Sequence, residues 1–419
     1  MPSYGWYGDD FTGATDTLAT LASRGRRAFL FLSVPEDRHL AEVGDLDAIG
    51  IAGAARTMTS AQMRAELEPV GEFFRGRRVR ILHYKCCSTF DSAPDRGNIA
   101  TAIDVLRGFV EHPRVAIVGG QPSLGRYCAF SNLFAASGSV GDVVRLDRHP
   151  TMSRHPATPM TEADLRLHLS TLGLSGVSAI HWPLLERDDV SIRAAWEVAS
   201  RAVLFDALTD LHLDALGHLF RRQSETSSLL IVGASSVAQA CFESAPVSMS
   251  DQPKASGPVL AFVGSLSPAT RAQVAAARSF DRIPIDPEGL TTSDRVLDQV
   301  VDQAVAGLSR GRHVMLSTAP ESGDAPAAAT ERLAGRSAEL VDRILRLVPV
   351  QRLAIAGGDT SSTIIGRLGF WGLGHRGQIG QGVAVSTARS EDPARDGMQV
   401  LLKGGQMGHA ELFETFLTL

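Results

Sequence analysis

Cysteine is scarce in this chain: Cys86, Cys87, Cys128 and Cys241 are all there are, and none forms a CxxC pair. That excludes a disulfide framework and the common zinc motifs, and reduced thiols are the expectation. Long apolar runs are missing as well, since nothing approaches the roughly 18–20 residues that a membrane-spanning helix needs. The first residues show no basic segment followed by an apolar stretch, because Asp9 and Asp10 interrupt it at once, so a cytoplasmic location is expected. There is no dense Lys/Arg run and the formal charge is −5, which argues against a nucleic-acid partner, and the missing apolar run argues against a membrane. No GxxxxGK[ST] phosphate loop and no solenoid repeat occur.

What is there is a globular composition, 44% hydrophobic and 21% charged, spread over 419 residues. That length exceeds what a single core usually fills, so two domains are expected. Short Val/Ile/Leu-rich runs alternate with turns and longer segments of helical spacing, the rhythm of an α/β chain. Strands are expected at 28–32, 48–52, 79–84, 115–118, 202–205 and 229–232, and in the second half at 259–263, 313–316 and 352–356, followed by "GVAVSTA" and "MQVLLK". The stretch 244–258, "SAPVSMSDQPKASGP", has linker composition. The expected architecture is two α/β domains with mainly parallel sheets and an interdomain cleft: residues 1–243, a linker at 244–258, and residues 259–419.

Ligands of open parallel sheets gather where strands end, so the residues after each apolar run carry the functional argument. Asp9 and Asp10 lie at such a place in "GWYGDDFTGATD", before a helix that Thr12 could cap, with Leu18, Leu21 and Ala22 as its buried stripe and Gly25 as its stop. A helix N-terminus can neutralise one carboxylate; the second needs a cation, a basic side chain or a substrate hydroxyl, unless both merely cap and solvate the turn. "HYKCCSTFDSAPDRGN" sets Lys85, Ser88, Thr89, Asp91, Asp95, Arg96 and Asn98 after another strand, a donor set suited to a polyhydroxy acid, or an ordinary polar loop. Arg56, after "GIAGA", is a further candidate carboxylate clamp. His149 and His155 lack additional ligands nearby in sequence, so no metal is expected there.

In the second half, "AFVGSLSPATRAQ" and "RLAIAGGDTSSTIIGRLG" repeat one grammar of strand, glycine turn and helix. Ser265 and Ser267 in the first, and Gly357, Gly358 and Thr360 in the second, would offer N–H groups and hydroxyls to a phosphate, as would Gly404 and Gly405 in "LLKGGQMG", while Asp359 could hold a cation. Together they point to nucleotide binding. "GLGHRG", 372–377, matches GxGxxG by letters, but it is expected in a Gly-rich loop without the strand-to-helix setting of a dinucleotide site.

These stretches together resemble the four-carbon acid sugar kinase family. "YGDDFTGATD" is similar to its Ala-Asp-Asp-Phe-Thr-Gly-Ala motif with Gly8 in place of Ala, "VGSLSPATRAQ" and "GGDTSSTIIGRLG" to its ATP-binding turns, and "KGGQMG" to its C-terminal Lys-x-Gly loop. Where many members carry Lys-x-Asp-Ser-Thr-Leu-Arg-Gly, this chain has a Cys-Ser-Thr-Phe-Asp-Ser form, as do members acting on 3-oxo acids. Cys86, preceding the Cys87 of that form, has no assignable role. The resemblance implies a sugar-acid-binding first domain, with substrate contacts from Asp9, Asp10, Arg56, Lys85, Ser88 and Thr89. It also implies a nucleotide-binding second domain with contacts from Ser265, 357–360 and Gly404 or Gly405. The implied reaction is phosphorylation of a terminal hydroxyl of a small sugar acid by ATP, with Mg²⁺ carried by the nucleotide. Asp10, with Asp9 as second choice, would take the hydroxyl proton, and Arg56 and Lys85 would fix the carboxylate. An NAD-dependent hydroxy-acid dehydrogenase or a non-catalytic sugar-acid sensor are the alternatives, and the oligomeric state stays open.

Overall fold

The computed structural model describes residues 2–136, 141–154, 158–245, 256–265, 267–318, 330–380, 382–405 and 407–419. Two compact units divide it, Met1–Ser248 and Met249–Leu419. Most of the stretch read as a linker, 246–255, lies outside the described residues, as does His155.

In the first unit the strands are β1 (Tyr4–Gly8), β2 (Ala28–Phe31), β3 (Ala48–Ala52), β4 (Ile81–Lys85), β5 (Val115–Val118), β6 (Arg126–Ala129), β7 (Asn132–Ala136), β8 (Val143–Arg145), β9 (Ser178–Ile180), β10 (Ala202–Phe205) and β11 (Leu229–Gly233). The main sheet runs β2-β3-β1-β4-β11-β5-β10-β9, all pairs parallel, and β6-β7-β8 form a small antiparallel sheet. Its central strands are buried on both faces, β1 along its whole length, because helices cover both sides of a parallel sheet. This is why β1, β3 and β11 read as continuous rather than alternating apolar runs.

The register decides where function can sit. Gly8 pairs with both Ala52 and Lys85, and Gly233 pairs with Lys85 and Val118. The segments that follow β1, β3, β4, β5 and β11 therefore emerge side by side at one edge. β1 leads toward β2 on one side while its neighbour β4 leads toward β5 on the other, which makes the β1/β4 boundary a topological switch point.

The second unit holds β12 (Val259–Val263), β13 (Phe280–Pro284), β14 (His313–Ser317), β15 (Arg352–Ala356), β16 (Phe370–Gly380), β17 (Val383–Ser390) and β18 (Gln399–Lys403). Their order is β13-β14-β12-β15-β18-β17-β16, parallel as far as β18 and antiparallel beyond it. Val263 pairs with Ala356 and Ala356 with Lys403, so the turns after β12, β15 and β18 also emerge in line. Phe413 and Phe416 of the last helix, Leu412–Thr418, cover one face against Val259, Ala261, Ala354 and Leu401.

Two local readings are corrected. "GLGHRG" is no loop; it lies within β16, paired along its length with β17, which rules out the strand-to-helix turn of a dinucleotide site. The helix Phe11–Ser23 is capped by Asp10, whose carboxylate accepts from the Gly13 N–H at 2.8 Å, while the Thr12 hydroxyl donates to the same carboxylate at 2.7 Å. Asp10 has the extended backbone that a cap requires, and Thr12 is already helical. The buried stripe includes Ala14, Leu18, Ala19 and Leu21, with Ala22 only half-buried, and the chain turns at Gly25 with φ 70°.

Candidate active site

At the switch point of the first unit, Asp9 and Asp10 leave β1 buried, and Lys85 closes β4 beside them. The Asp9 N–H donates to the Lys85 carbonyl at 3.0 Å, and the Arg56 N–H donates to the Asp9 carbonyl at 3.1 Å. Three separate segments are thus tied together by backbone bonds alone. Arg56 Nη2 then meets Asp10 Oδ2 at 2.9 Å. A Cβ on Gly13 would overlap Lys85 Nζ and come within 2.5 Å of Asp10 Oδ1, so the ammonium lies against the bare backbone of the first helical turn. Only glycine leaves room for it.

The two aspartates sit in opposite electrostatic states. Burial would raise Asp10, but Arg56, Lys85, the Thr12 hydroxyl and the Gly13 N–H overcome it and hold its pKa down at about 2. Asp9 is raised to about 7, first by burial and then by the charge of Asp10, with Lys85 and Arg56 opposing. Its Oδ1 is buried and has no hydrogen-bond partner. Burial would lower Lys85, yet Asp10 and Asp9 lift it to about 12, so it stays an ammonium. The result is one fixed carboxylate, one poised carboxylate and a permanent cation.

The loop after β4 is built tightly. Thr89 donates to Asp91 Oδ1 at 2.5 Å and lies 3.0 Å from Cys87 Sγ, Ser92 lies 2.8 Å from His168 Nε2, and Asn98 caps the next helix through the Thr101 N–H. Buried Phe90 takes φ 55°, a left-handed conformation that costs a non-glycine residue on the order of 1–3 kcal/mol and holds the loop's curvature. Ser88 is half-buried at this rim, whereas Arg96 is exposed. Sequence reading missed Asp16, Gln121 and Ser235, which join at the same edge: Ser235 donates to Asp16 Oδ2 at 2.5 Å and Gln121 Nε2 reaches it at 3.3 Å. The signal was present, because "VGGQ" and "IVGASS" both place glycine and a polar residue directly after an apolar strand.

In the second unit, the turns after β12, β15 and β18 interlock. The Gly357 N–H donates to the Lys403 carbonyl at 3.0 Å, and the Gly264 N–H to that of Ala356 at 2.9 Å. A Cβ on Gly264 would overlap the Thr360 hydroxyl and one on Gly405 would lie 2.8 Å from Ser265 Oγ, while Gly357 adopts φ 127°. Ser267 caps the helix Pro268–Ala276 through the Thr270 N–H and also donates to the Gly405 carbonyl. Ser265 accepts from Thr270 Oγ1 at 3.1 Å. Gly358 opens the helix Gly358–Arg367; the side chain of Asp359 lies outside the described residues. Beneath them, Lys403 is fully buried and donates to Thr270 Oγ1 at 2.7 Å, Gln273 Oε1 at 2.5 Å and the Gly405 carbonyl at 3.2 Å. Burial pulls its pKa down to about 7. Gln273 Nε2 holds the carbonyls of Met407, Gly408 and His409, so the last glycine turn is stapled from below.

His149 accepts from the N–H groups of Thr151 and Met152 at 3.2 Å each, a structural use. Among the described residues no group of His, Cys, Asp and Glu could hold a metal ion, and no helix is long and apolar enough to cross a membrane.

Residues 4–241 match the family model described as a sugar-binding N-terminal domain, and 260–413 match that of a nucleotide-binding C-terminal domain. The chain is 36% identical over 440 residues to a 3-oxo-isoapionate kinase of Paraburkholderia graminis, covering 97% of this chain and 92% of that one. It is 30% identical over 437 residues to a 3-oxo-tetronate kinase of Burkholderia multivorans, covering 99% and 97%. Solved structures from Salmonella typhimurium (TM-score 0.77, 24% identity, 98% of both chains) and Haemophilus influenzae (TM-score 0.69, 21% identity, 99% of both chains) share the fold. The chain belongs to the four-carbon acid sugar kinase family. It is an enzyme, and its activity is that of a kinase.

Proposed function

We propose that this kinase transfers the terminal phosphoryl group of ATP to a terminal hydroxyl of a small 3-oxo sugar acid, of the 3-oxo-isoapionate or 3-oxo-tetronate type. The observation that carries the reading is Asp9: a buried carboxylate with an unpartnered oxygen, beside a permanent ammonium, at the switch point of the sugar-binding domain. Phosphoryl transfer asks the protein for alignment and charge neutralisation more than for covalent help. The names of the relatives and the Cys87–Ser92 loop support the 3-oxo class.

Asp10 is held by Arg56, Thr12 and Gly13, so its role is to fix the first helical turn and Lys85. Asp9 is the better proton acceptor, with a pKa near 7 matched to neutral pH. Lys85 keeps the anionic form of Asp9 accessible and offers its remaining N–H groups to oxygens of the acid. Thr89, Ser88 and Asp16 would read its hydroxyls.

The second unit fits a nucleotide. Its glycine turns have no side chain at Gly264 and Gly405, where one would collide with Thr360 and Ser265, so a phosphate can approach the backbone closely, and Ser265 and Thr360 add hydroxyls. Gly357, Gly358, Thr360, Gly404 and Gly405 would hold the phosphates, and Asp359 would hold the cation that accompanies them. Bound Mg²⁺–ATP supplies the phosphoryl group and the metal that neutralises it.

The test is ADP release by the purified protein across threonate, erythronate, 3-oxo-tetronate and 3-oxo-isoapionate. Turnover of the 3-oxo acids well above the plain acids is expected. No ADP release with any acid, or reduction of NAD by one of them, sinks the reading.

A further inference from the structure

A sugar-acid carboxylate entering the first unit needs a cation that is not already engaged. Arg56 is committed to Asp10, and Lys85 lies under the charges of Asp10 and Asp9. Arg126, the first residue of β6, is different. It is partly buried, and its Nη1 donates to the Leu124 carbonyl at 2.7 Å. Its Nε is buried without a partner, and among the described residues no carboxylate lies within ion-pair distance of the guanidinium. The edge formed by Nε and Nη2 is the one that takes a carboxylate with two parallel hydrogen bonds.

Its position is rigidly set. The Gln121 N–H donates to the Arg126 carbonyl at 2.8 Å and the Arg126 N–H returns to Gln121 at 3.2 Å, so Arg126 is bridged to the segment leaving β5. Gln121 itself reaches Asp16 of the site. Further along, Cys128 pairs with Ala207, and buried Asp206 at the end of β10 accepts the N–H groups of Phe130 and Ser131 at 2.7 and 2.9 Å. The small sheet is thereby pinned to the carboxyl edge of the main one. Cys87 and Asp91 lie within electrostatic reach of Arg126, and Cys87 is in turn felt by Lys85 and Arg56, so all converge on the same loop.

We infer that Arg126 binds the carboxylate of the sugar acid and sets the enzyme's preference for an acid over a neutral sugar. The inference rests on the reading of the substrate as a sugar acid. Burial lowers the pKa of Arg126 from its ordinary value, with Cys87 and Asp91 opposing, which is the condition of a desolvated cation awaiting a counter-charge. With the carboxylate held there, the far hydroxyl is left for Asp9.

The experiment compares wild type, Arg126→Met and Arg126→Lys with the preferred acid and with its uncharged amide, at saturating ATP. Methionine should raise KM for the acid about 100-fold, the loss expected when one partner of a desolvated charge pair is removed. KM for ATP should be unchanged and kcat should move far less. Selectivity for the acid over the amide should collapse with methionine and recover in part with lysine. Should the methionine variant not fold, the lysine variant still decides, because it keeps the charge but loses the two-point grip and should raise KM for the acid about tenfold. Unchanged KM and selectivity in the variants overturn the inference. So does a fall in kcat at constant KM, which would put the guanidinium on the transferring phosphoryl group. Wild type inactive on every acid would instead overturn the substrate reading, and this inference with it.

Discussion

Exchanging Asp9 for asparagine should make the protein more stable and far less active, a pairing that a purely structural residue would not give. Asp9 has a pKa of about 7 in the folded chain against an ordinary 3.8. The folded state therefore holds this proton more tightly than the unfolded state. The stability it contributes is complete below about pH 4, falls as pH rises, and is gone once pH passes about 7. A gap of about three pH units, at about 1.4 kcal/mol each, makes ionised Asp9 a burden of roughly 4 kcal/mol at pH 8. Asparagine has the same shape and no charge. Relief of even half that burden should raise the thermal midpoint at pH 8 by about 4–8 °C for a unit of this size. Turnover should drop about 100-fold or more if Asp9 takes the proton. Wild-type kcat/KM for the acid should climb about tenfold per pH unit up to about pH 7 and then level off, since the base must be ionised. Calorimetry of both proteins at pH 8 and a steady-state pH profile read all three quantities. A lower midpoint in Asp9→Asn, or turnover within about tenfold of wild type, refutes the assignment. Asp10→Asn is the contrast. With its pKa held at about 2, Asp10 contributes stability that is present above about pH 4 and lost as pH falls toward 2, so its removal should lower the midpoint at pH 8.

Gly13→Ala should cut kcat/KM for the acid by more than about tenfold while leaving the fold intact, because the methyl group displaces Lys85 Nζ although alanine is the better helix former by about 1 kcal/mol; kinetics alongside thermal melts check this. Lys403→Met should raise KM for ATP about tenfold, the equivalent of one lost hydrogen bond beneath the last glycine turn, and leave KM for the acid unchanged. Equal effects on both substrates would count against a role confined to the nucleotide turns. Asp342→Ala should cost about 3 kcal/mol in denaturant unfolding without altering kcat, since it takes from buried Arg395 its partner at 2.7 Å and leaves it only Asp392 at 3.5 Å and the Leu368 carbonyl.

Much of the fold was legible because parallel strands covered on both faces are apolar throughout. β3, β5, β10, β12 and β15 fall on the residues that composition alone marked. The strands it missed are those where that logic fails: β6, β7 and β8 in a half-exposed sheet, the three-residue, partly exposed β9 at the end of its sheet, β13 with alternating exposure, and β16, whose glycines read as a loop until pairing with β17 makes them a strand. Thr12 was misjudged as the cap because both Asp10 and Thr12 have capping side chains, and only backbone geometry chooses between them.

The sequence by itself determined that two α/β units exist, that glycine turns close the strands of the second, and that a pair of aspartates ends the first strand. These follow from local rules of apolar period, turn chemistry and strand-end grammar. Tertiary structure alone decided which aspartate is committed and which is poised, because that depends on Arg56 and Lys85 arriving from other strands. It likewise engaged Arg56 and Lys85 with the aspartates and left Arg126, in a segment with no motif, as a partly buried cation without a carboxylate partner among the described residues. Charge pairing is a long-range property; it exists only after the register of the sheet has brought the strand ends into line.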